Sequence, residues 1–214
     1  MPDPGASTTG PQTTGGRPLL LIISGPSGVG KTTITRAVEK AFCDAVFSVS
    51  ATTRPRAGGE RPGVDYDYLS DEQFDRLIAQ DAFLEWASVF GKRYGTLRQW
   101  VMDRLAEGRL VILEIDVQGA INTKRTMEAL GRGGQCLALF VLPPSEEVLL
   151  ERLRARRRES EEAIQRRFAE AKREIAVART AGVYDRFMIN HDLNGAVEEV
   201  IGWVREQRGT SCGG

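Results

Sequence analysis

Short runs of consecutive apolar residues recur along this 214-residue chain, and longer stretches with apolar residues at every third or fourth position separate them. The uninterrupted runs predict buried strands, whereas the wider spacing predicts amphipathic helices. The predicted strands are Leu19–Ile23, Val46–Val49, Leu110–Ile115, Leu137–Leu142 and Phe187–Ile189. The predicted helices are Thr32–Phe42, Gln99–Glu107, Ala120–Leu130, Ser145–Arg154, Glu161–Thr180 and Gly195–Gln207. This alternation predicts a three-layer α/β fold, in which helices cover both faces of a central parallel sheet and ligands bind at the carboxyl ends of its strands.

Two segments interrupt the alternation. Residues 50–96 are rich in Gly, Arg and aromatic residues, and they place two strand-like pieces, Tyr66–Leu69 and Phe83–Val89, around a short helix, Asp71–Ile78. This pattern predicts a small α+β lobe inserted into the core. Residues 152–167 form a polar helix–turn–helix with seven arginines and little apolar surface, and a segment with so few packing contacts is expected to be mobile. The core then consists of residues 17–49, 97–151 and 168–208.

Composition and charge narrow the range of functions. The formal net charge is zero, so no global charge favours a nucleic-acid or membrane partner, and no apolar run approaches the ~20 residues that span a bilayer. Residues 1–16 and 209–214 have too little apolar content to order themselves, so we expect a disordered tail and a flexible C-terminus. The cysteines Cys43, Cys136 and Cys212 have no metal-site spacing, which indicates reduced thiols and a cytoplasmic location.

The first predicted strand leads directly into Gly25-Pro-Ser-Gly-Val-Gly-Lys-Thr32, which fits the G-x-x-x-x-G-K-[ST] pattern of the P-loop. Glycines at a strand-to-helix turn let backbone N–H groups surround an anion at the positive end of the helix dipole. We expect Lys31 to neutralise the β/γ-phosphates of a nucleoside triphosphate and the Thr32 hydroxyl to hold Mg²⁺. An ordinary glycine-rich turn is the alternative. The predicted ATP-binding residues here are Gly25, Pro26, Ser27, Gly28, Val29, Gly30, Lys31, Thr32 and Thr33.

Further motifs occur in the inserted segment and beyond it. They are Ser48–Glu60, Gly63–Tyr68, Phe83–Ala87, Tyr94–Thr96, Leu113–Gly119, Leu142–Ser145 and Asn190–Leu193. Together with the P-loop they resemble the guanylate kinase family, in family order and spacing, over residues 17–205. The resemblance implies transfer of the γ-phosphoryl group of ATP to GMP, and also to dGMP. It places Mg²⁺ and ATP on the P-loop, GMP in the inserted lobe, and a mobile lid at residues 152–167.

The resemblance also assigns residues to the GMP site. Ser50 and Thr96 would meet the O6 side of guanine. Glu85 and Asp116 would accept hydrogen bonds from its N1–H and 2-amino groups, which suits carboxylates because they are acceptors only. Adenine lacks the 2-amino group and has an acceptor at N1, so it would fit this pair badly. The residues expected at the GMP phosphate are Arg54, Tyr66 and Tyr94.

The arginines of the lid match two residues that close over the transferred phosphates, Arg156 and Arg167. Together with Lys31 and Arg54 they are the expected catalytic residues, because phosphoryl transfer depends on positioning and charge neutralisation. Asn190 is expected to face the adenine of ATP, and the neighbouring His191 is interpreted as a surface residue.

Simpler interpretations exist for several of these residues. Glu85 could be the solvent-facing member of an alternating strand, and Tyr66 and Tyr94 could be half-buried strand aromatics. Asp116 could cap the next helix, or could serve the magnesium ion as the acidic residue after an apolar strand. The remaining lid arginines could be solvated or paired with acidic neighbours.

Two departures from the family pattern affect the expected activity. The second phosphate-binding arginine stands at Arg56, one residue before the family position at Ala57, and we expect it to remain a looser phosphate ligand. The lid reads Ala155-Arg156-Arg157 in place of Gly-Arg-Gly, which removes the backbone freedom of glycine.

Two other functions are compatible with parts of the chain. One is a non-catalytic binding module for a phosphorylated peptide, which would have no need of Lys31 and Thr32. The other is a P-loop kinase for a different small acceptor, which would give Glu85 and Asp116 nothing to bind. The sequence does not decide between a monomer and a homo-oligomer.

Overall fold

The computed structural model describes residues 16–89, 91–155 and 160–209. The predicted tail up to residue 15, the lid arginine Arg156, the altered hinge at Arg157 and residues 210–214 lie outside these ranges. Gly16 is the last residue of the tail predicted from composition. Its carbonyl accepts a hydrogen bond from Arg208 Nη2 at 3.2 Å, so this residue is attached to the core. Within the described ranges, no helix combines the length and apolar character needed to cross a membrane.

The order of strands and helices follows the predicted alternation closely. The strands are β1 (Leu19–Ser24), β2 (Ala45–Phe47), β3 (Ala51–Thr52), β4 (Asp67–Tyr68), β5 (Phe83–Val89), β6 (Lys92–Leu97), β7 (Leu110–Glu114), β8 (Cys136–Leu142) and β9 (Arg186–Ile189). The α-helices are α1 (Lys31–Ala41), α2 (Asp71–Ala79), α3 (Arg98–Ala106), α4 (Val117–Ala129), α5 (Glu146–Arg154), α6 (Glu161–Ala181) and α7 (Leu193–Arg208).

Five of the strands form the parallel central sheet, in the order β2-β7-β1-β8-β9. The central strand β1 is buried along its whole length, because alternate side chains enter hydrophobic clusters on opposite faces of the sheet. Leu21 packs with residues of α1, α5 and α7, whereas Leu20 packs with residues of α3 and α4. The predicted three-layer fold is therefore confirmed, with β1 delivering the chain to the carboxyl edge of the sheet.

The inserted lobe has a mixed sheet of its own, in the order β4-β3-β6-β5. Its small core forms where Phe74 of α2 stacks on Phe83 of β5, with ring centroids 4.5 Å apart. The sequence pattern predicted β4, α2 and β5 but not β3 or β6. β3 has only two residues, and β6 is polar with Gly95 in its middle, so neither carries a recognisable apolar pattern.

The arginine-rich segment is anchored at both of its described ends. Leu153 in α5 and Ile164 in α6 are buried in the main core cluster. The expectation of little apolar surface therefore does not apply to these ends, and residues 156–159 between them lie outside the described ranges. Ser145 and Ser160 cap α5 and α6 through side-chain hydrogen bonds, so both helices begin at defined positions.

Candidate active site

The loop between β1 and α1 wraps around the amino group of Lys31. Its glycines Gly25, Gly28 and Gly30 have φ values of 146°, 94° and 96°, which side-chain-bearing residues rarely adopt. Lys31 Nζ donates to the carbonyls of Gly25 and Pro26 at 2.5 and 3.0 Å. No side chain caps the first turn of α1 by a hydrogen bond, so the positive end of its dipole is open to an anion.

Two residues distant in sequence, Asn190 and Arg167, form hydrogen bonds to this loop. The Asn190 side chain is buried, and its Nδ2 donates to the Val29 carbonyl at 2.8 Å. A Cβ at Gly30 would lie 2.8 Å from the same nitrogen, so glycine is needed there for space as well as for φ. Arg167 of α6 bonds the Ser27 hydroxyl through Nη2, which brings one predicted catalytic arginine onto the P-loop. The predicted contact of Asn190 with adenine stays a prediction.

A hydroxyl–carboxylate pair stands beside the loop. The Thr32 hydroxyl donates to Glu114 Oε1 at 2.8 Å. Glu114 is the last residue of β7. It was not identified from the sequence, because Asp116, two residues later, also follows the apolar strand and matches a family motif. The position of Glu114 after four buried apolar residues is the available signal, since an acidic residue at the end of a strand next to the P-loop strand faces the phosphates.

A cavity of about 220 Å³, open to solvent, lies between this pair and the inserted lobe. Its lining brings together predicted residues of both parts of the chain. The residues around it are Lys31, Ser50, Tyr66, Glu85, Ala87, Val89, Tyr94, Glu114, Ile115 and Asp116.

Glu85 projects into this cavity from β5 and is 7% exposed, so its interpretation as a solvent-facing strand residue is wrong. A register shift between Phe83 and Glu85 breaks the alternation of the strand and makes three successive residues buried. The buried Thr96 hydroxyl donates to Glu85 Oε1 at 2.7 Å. Burial raises the pKa of Glu85 to about 7, with a further contribution from the nearby charge of Asp116, while the Thr96 hydrogen bond acts in the opposite direction.

Asp116 has a structural role as well as a place in the cavity. Its Oδ1 accepts a hydrogen bond from the Gly119 amide at 2.7 Å, so it caps α4 as the simpler interpretation predicted. A Cβ on Gly119 would lie 3.0 Å from Glu85 Oε2 and 3.1 Å from Asp116 Oδ1, so the two carboxylates flank one point. Glu114, and not Asp116, lies beside the Thr32 hydroxyl, where a magnesium ligand is expected. Asp116 instead lines the cavity.

A second group of polar residues in the inserted lobe consists of Tyr66 and Tyr94, which line the cavity, and Arg54 next to Tyr66. The Arg54 guanidinium is 5.0 Å from the ring centroid of Tyr66, and the Tyr66 and Tyr94 rings meet edge to face at 5.9 Å. Arg54 Nη2 bonds Glu60 Oε1 at 2.6 Å. Burial raises the pKa of Tyr66 above its usual value, so its hydroxyl remains a donor.

Arg56 is not brought to this group. It is exposed on the loop between β3 and β4, and within the described ranges it makes no hydrogen bond or ion pair. The adjacent Ala57 is also exposed, and its amide donates to Glu60 Oε2 at 2.7 Å.

The Thr32 hydroxyl and the Glu114 carboxylate are oxygen groups that could bind Mg²⁺. Within the described residues no group of three or more His, Cys, Asp and Glu side chains could cage a metal. Mg²⁺ does not require such a cage, because it prefers oxygen ligands, keeps several waters and uses one or two carboxylates together with substrate phosphates. The hydroxyl and the carboxylate beside the P-loop therefore fit this ion.

A phosphate-binding loop that faces a cavity for a second molecule is the arrangement of a P-loop phosphotransferase. The family model described as "Guanylate kinase" matches residues 17–207. A guanylate kinase of Anaeromyxobacter dehalogenans is 47% identical over 89% of this chain and 81% of its own length. One of Gloeobacter violaceus is 48% identical over 86% and 87%.

The three-dimensional comparison agrees with the sequence comparison. The crystal structure of guanylate kinase from Anaplasma phagocytophilum superposes with a TM-score of 0.70 at 28% identity, covering 92% of this chain and 89% of that one. The chain belongs to the guanylate kinase family.

Proposed function

We propose that the chain transfers the γ-phosphoryl group of ATP to GMP, giving ADP and GDP. The family membership supports this reaction, and the observation that carries it is the pair Glu85 and Asp116 in a cavity that also reaches Lys31. A non-catalytic binding module is not favoured, because the P-loop lysine and the Thr32–Glu114 pair are both in place. A kinase for another acceptor is not favoured either, because it would leave two carboxylates unmatched.

Guanine is held by the carboxylates in this proposal. The ionised Glu85 accepts from N1–H, and Asp116 accepts from the 2-amino group, while Ser50 and Thr96 lie on the O6 side. Thr96 also orients Glu85 through its hydrogen bond. Among the groups assigned to GMP, none is set aside for the ribose 2′-hydroxyl, so dGMP is accepted as well.

The phosphate of GMP is held by Arg54, Tyr66 and Tyr94, which are grouped in the inserted lobe. Arg56 lies on a flexible Gly58–Gly59 loop, and its long side chain can reach the same phosphate from solvent. It is a looser ligand than Arg54, because no residue of the described structure holds its guanidinium in place.

The reaction needs no protein nucleophile. A phosphate oxygen of GMP attacks the γ-phosphorus in line, and the chain stabilises negative charge on the transferred group through Lys31, Arg54, Arg156 and Arg167. The P-loop residues 25–33 bind the ATP phosphates, and Asn190 borders the nucleotide. When bound, Mg²⁺ would supply positive charge that offsets the charge of the phosphates, and Thr32 with Glu114 would hold it.

We place this activity in the cytoplasm as a proposal supported by the thiols. Cys43 and Cys136 are both unbridged, and burial raises the pKa of the Cys136 thiol to about 12, so it is unreactive at neutral pH.

The substitution Lys31→Ala tests catalysis against simple binding. The side chain carries loop hydrogen bonds but little packing, so the melting temperature should change little. The kcat for ADP formation with GMP should fall by about a hundredfold or more, as expected on losing a charge at the transferring group. Lys172→Ala, at an exposed lysine of α6, is the matched control and should retain full turnover. A folded Lys31→Ala protein with undiminished turnover would contradict the proposed reaction.

A further inference from the structure

Glu60 connects three parts of the inserted lobe. Its Oε1 accepts from Arg54 Nη2 at 2.6 Å, and its Oε2 accepts from the Tyr68 hydroxyl and the Ala57 amide, both at 2.7 Å. The loop between β3 and β4 is thereby closed onto β4 by one side chain. Glu60 is 24% exposed and Arg54 26% exposed, so this pair is partly shielded from water.

These contacts hold the Arg54 guanidinium on more than one side. Glu60 takes one N–H of Nη2, the Pro55 carbonyl accepts from Nη1 at 3.0 Å, and the Tyr66 ring lies 5.0 Å from the guanidinium carbon. A guanidinium has five N–H donors, so three stay available for a phosphate after these two bonds. An arginine held this way loses less rotamer entropy when it binds an anion.

We propose that Glu60 is a positioning residue for the GMP phosphate, acting through Arg54. The inference rests on the proposed role of Arg54 as a phosphate ligand, and it assigns Glu60 no contact with GMP. Glu60 fixes the rear of the guanidinium to the lobe, so that the remaining donors meet the phosphate without a search among rotamers.

The charge of Glu60 is part of this role. Arg54, the Tyr68 hydroxyl and the Ala57 amide together lower the pKa of Glu60 to about 2, so the carboxylate is ionised at neutral pH. Glutamine would keep the shape of the side chain but would lose the charge-assisted bond to Arg54, and such bonds are about twice as strong as neutral ones.

An opposite effect is physically possible and can be measured. A carboxylate beside a phosphate ligand could compete with the phosphate for the arginine. Its removal would then tighten GMP binding, whereas removal of a positioning residue would weaken it. Guanosine separates both effects from general damage to the lobe, because it has the base and ribose of GMP but no phosphate.

The experiment compares the parent with Glu60→Gln, Arg54→Ala and the double variant, and measures the KM for GMP, the KM for ATP and the inhibition constant of guanosine. Glu60→Gln should raise the GMP KM by roughly three- to tenfold, a fraction of the loss from deleting a charged contact outright. It should leave the ATP KM and guanosine inhibition within twofold of the parent. In the Arg54→Ala background, Glu60→Gln should add less than twofold. Glu107→Gln, at an exposed ion pair with Arg104 on the far side of α3, is the control and should change nothing.

Each other outcome overturns a specific statement. An unchanged or lower GMP KM in Glu60→Gln, with Arg54→Ala impaired, refutes the positioning role and leaves the proposed function intact. Equal weakening of GMP and guanosine assigns Glu60 to the stability of the lobe instead. If Arg54→Ala itself has an unchanged GMP KM, Arg54 is not a phosphate ligand, and the inference fails with that assignment.

Discussion

Glu85 combines burial with a function that needs its charge. Desolvation favours the protonated form, whereas the N1–H donor of guanine requires the ionised form as its acceptor. Binding of GMP must therefore supply the free energy that ionises a group whose pKa has been raised to about 7. At pH 7 this cost is below about 1 kcal/mol, so the choice of base depends on how its donors match the carboxylates and not on the ionisation itself.

This conflict predicts a pH dependence. Above pH 7 Glu85 is ionised before GMP arrives, whereas below it a proton must be released, so the GMP KM should fall as pH rises from 6 to 8. The phosphate of GMP titrates near pH 6 in every variant, so the comparison with Glu85→Gln isolates the carboxyl. The variant should bind more weakly at all pH values and lose the additional slope around pH 7. Parallel pH profiles for the parent and the variant would contradict the assignment.

At the scale of single elements, the conformation of the P-loop depends on Asn190, which lies 161 positions after Val29. Gly30 leaves room for the Asn190 amide, which holds the Val29 carbonyl, and the Asn190 backbone in turn accepts from Arg152 at the end of α5. The loop that binds phosphate is thus linked to the base of the arginine-rich segment through one residue after β9.

The substitution Gly30→Ala tests this arrangement. A Cβ would lie 2.8 Å from Asn190 Nδ2, at a φ of +96° that costs an L-residue about 1–2 kcal/mol. We expect the ATP KM to rise about tenfold or more while guanosine inhibition stays unchanged, since the guanine site is separate. Gly202→Ala in α7 is the control, because a Cβ there meets nothing within 4 Å and alanine favours a helix. Unchanged ATP binding in Gly30→Ala would show that the loop tolerates another backbone path.

The elements show what a sequence can and cannot predict. Long periodic segments were predicted to within a few residues, because burial on both faces of the sheet produces strong patterns in strands such as β1 and β8. β3 and β6 were missed because their pairing depends on partners distant in sequence. Glu85 and Asp116 came from family motifs, but the bulge that turns Glu85 inward, and Glu114 beside Thr32, depend on tertiary geometry.

At the scale of the whole molecule, the buried Arg208 joins the two ends of the described chain through backbone carbonyls and also forms an ion pair with the partly exposed Asp44. Arg208, the last residue of α7, bonds Asp44 at 2.5 and 3.0 Å and also the carbonyls of Arg17, Gly16 and Gly108. It is 2% exposed. The hydrogen bond from Arg208 lowers the pKa of Asp44 below its usual value.

Removal of this pair should destabilise the fold without touching the site. Arg208→Met leaves Asp44 and several carbonyls without their partner. Because Asp44 is 23% exposed and can still meet water, we expect a cost of about 1–3 kcal/mol. Because the folded pKa of Asp44 is lowered, its contribution is present above the unfolded pKa of about 3.9 and is lost as the pH falls through the folded value. The loss on mutation should therefore be full at pH 7 and smaller in acid, as measured by denaturant unfolding. Arg104→Met, at an exposed pair, should cost less than about 1 kcal/mol. Equal losses of unfolding free energy in Arg208→Met and Arg104→Met would contradict this stabilising role of Arg208.

The choice of acceptor tests the central claim most directly, because it depends chiefly on the carboxylate pair. ADP formation from ATP should be measured with GMP, IMP and AMP as acceptors under identical conditions. We expect kcat/KM for GMP to exceed that for AMP by at least about a hundredfold, roughly 3 kcal/mol, since AMP offers neither an N1–H nor a 2-amino donor to the buried Glu85 and the half-buried Asp116. IMP, which lacks only the 2-amino group, should lie between them. Equal use of AMP and GMP would contradict the role of Glu85 and Asp116 and the assignment of the cavity to guanine.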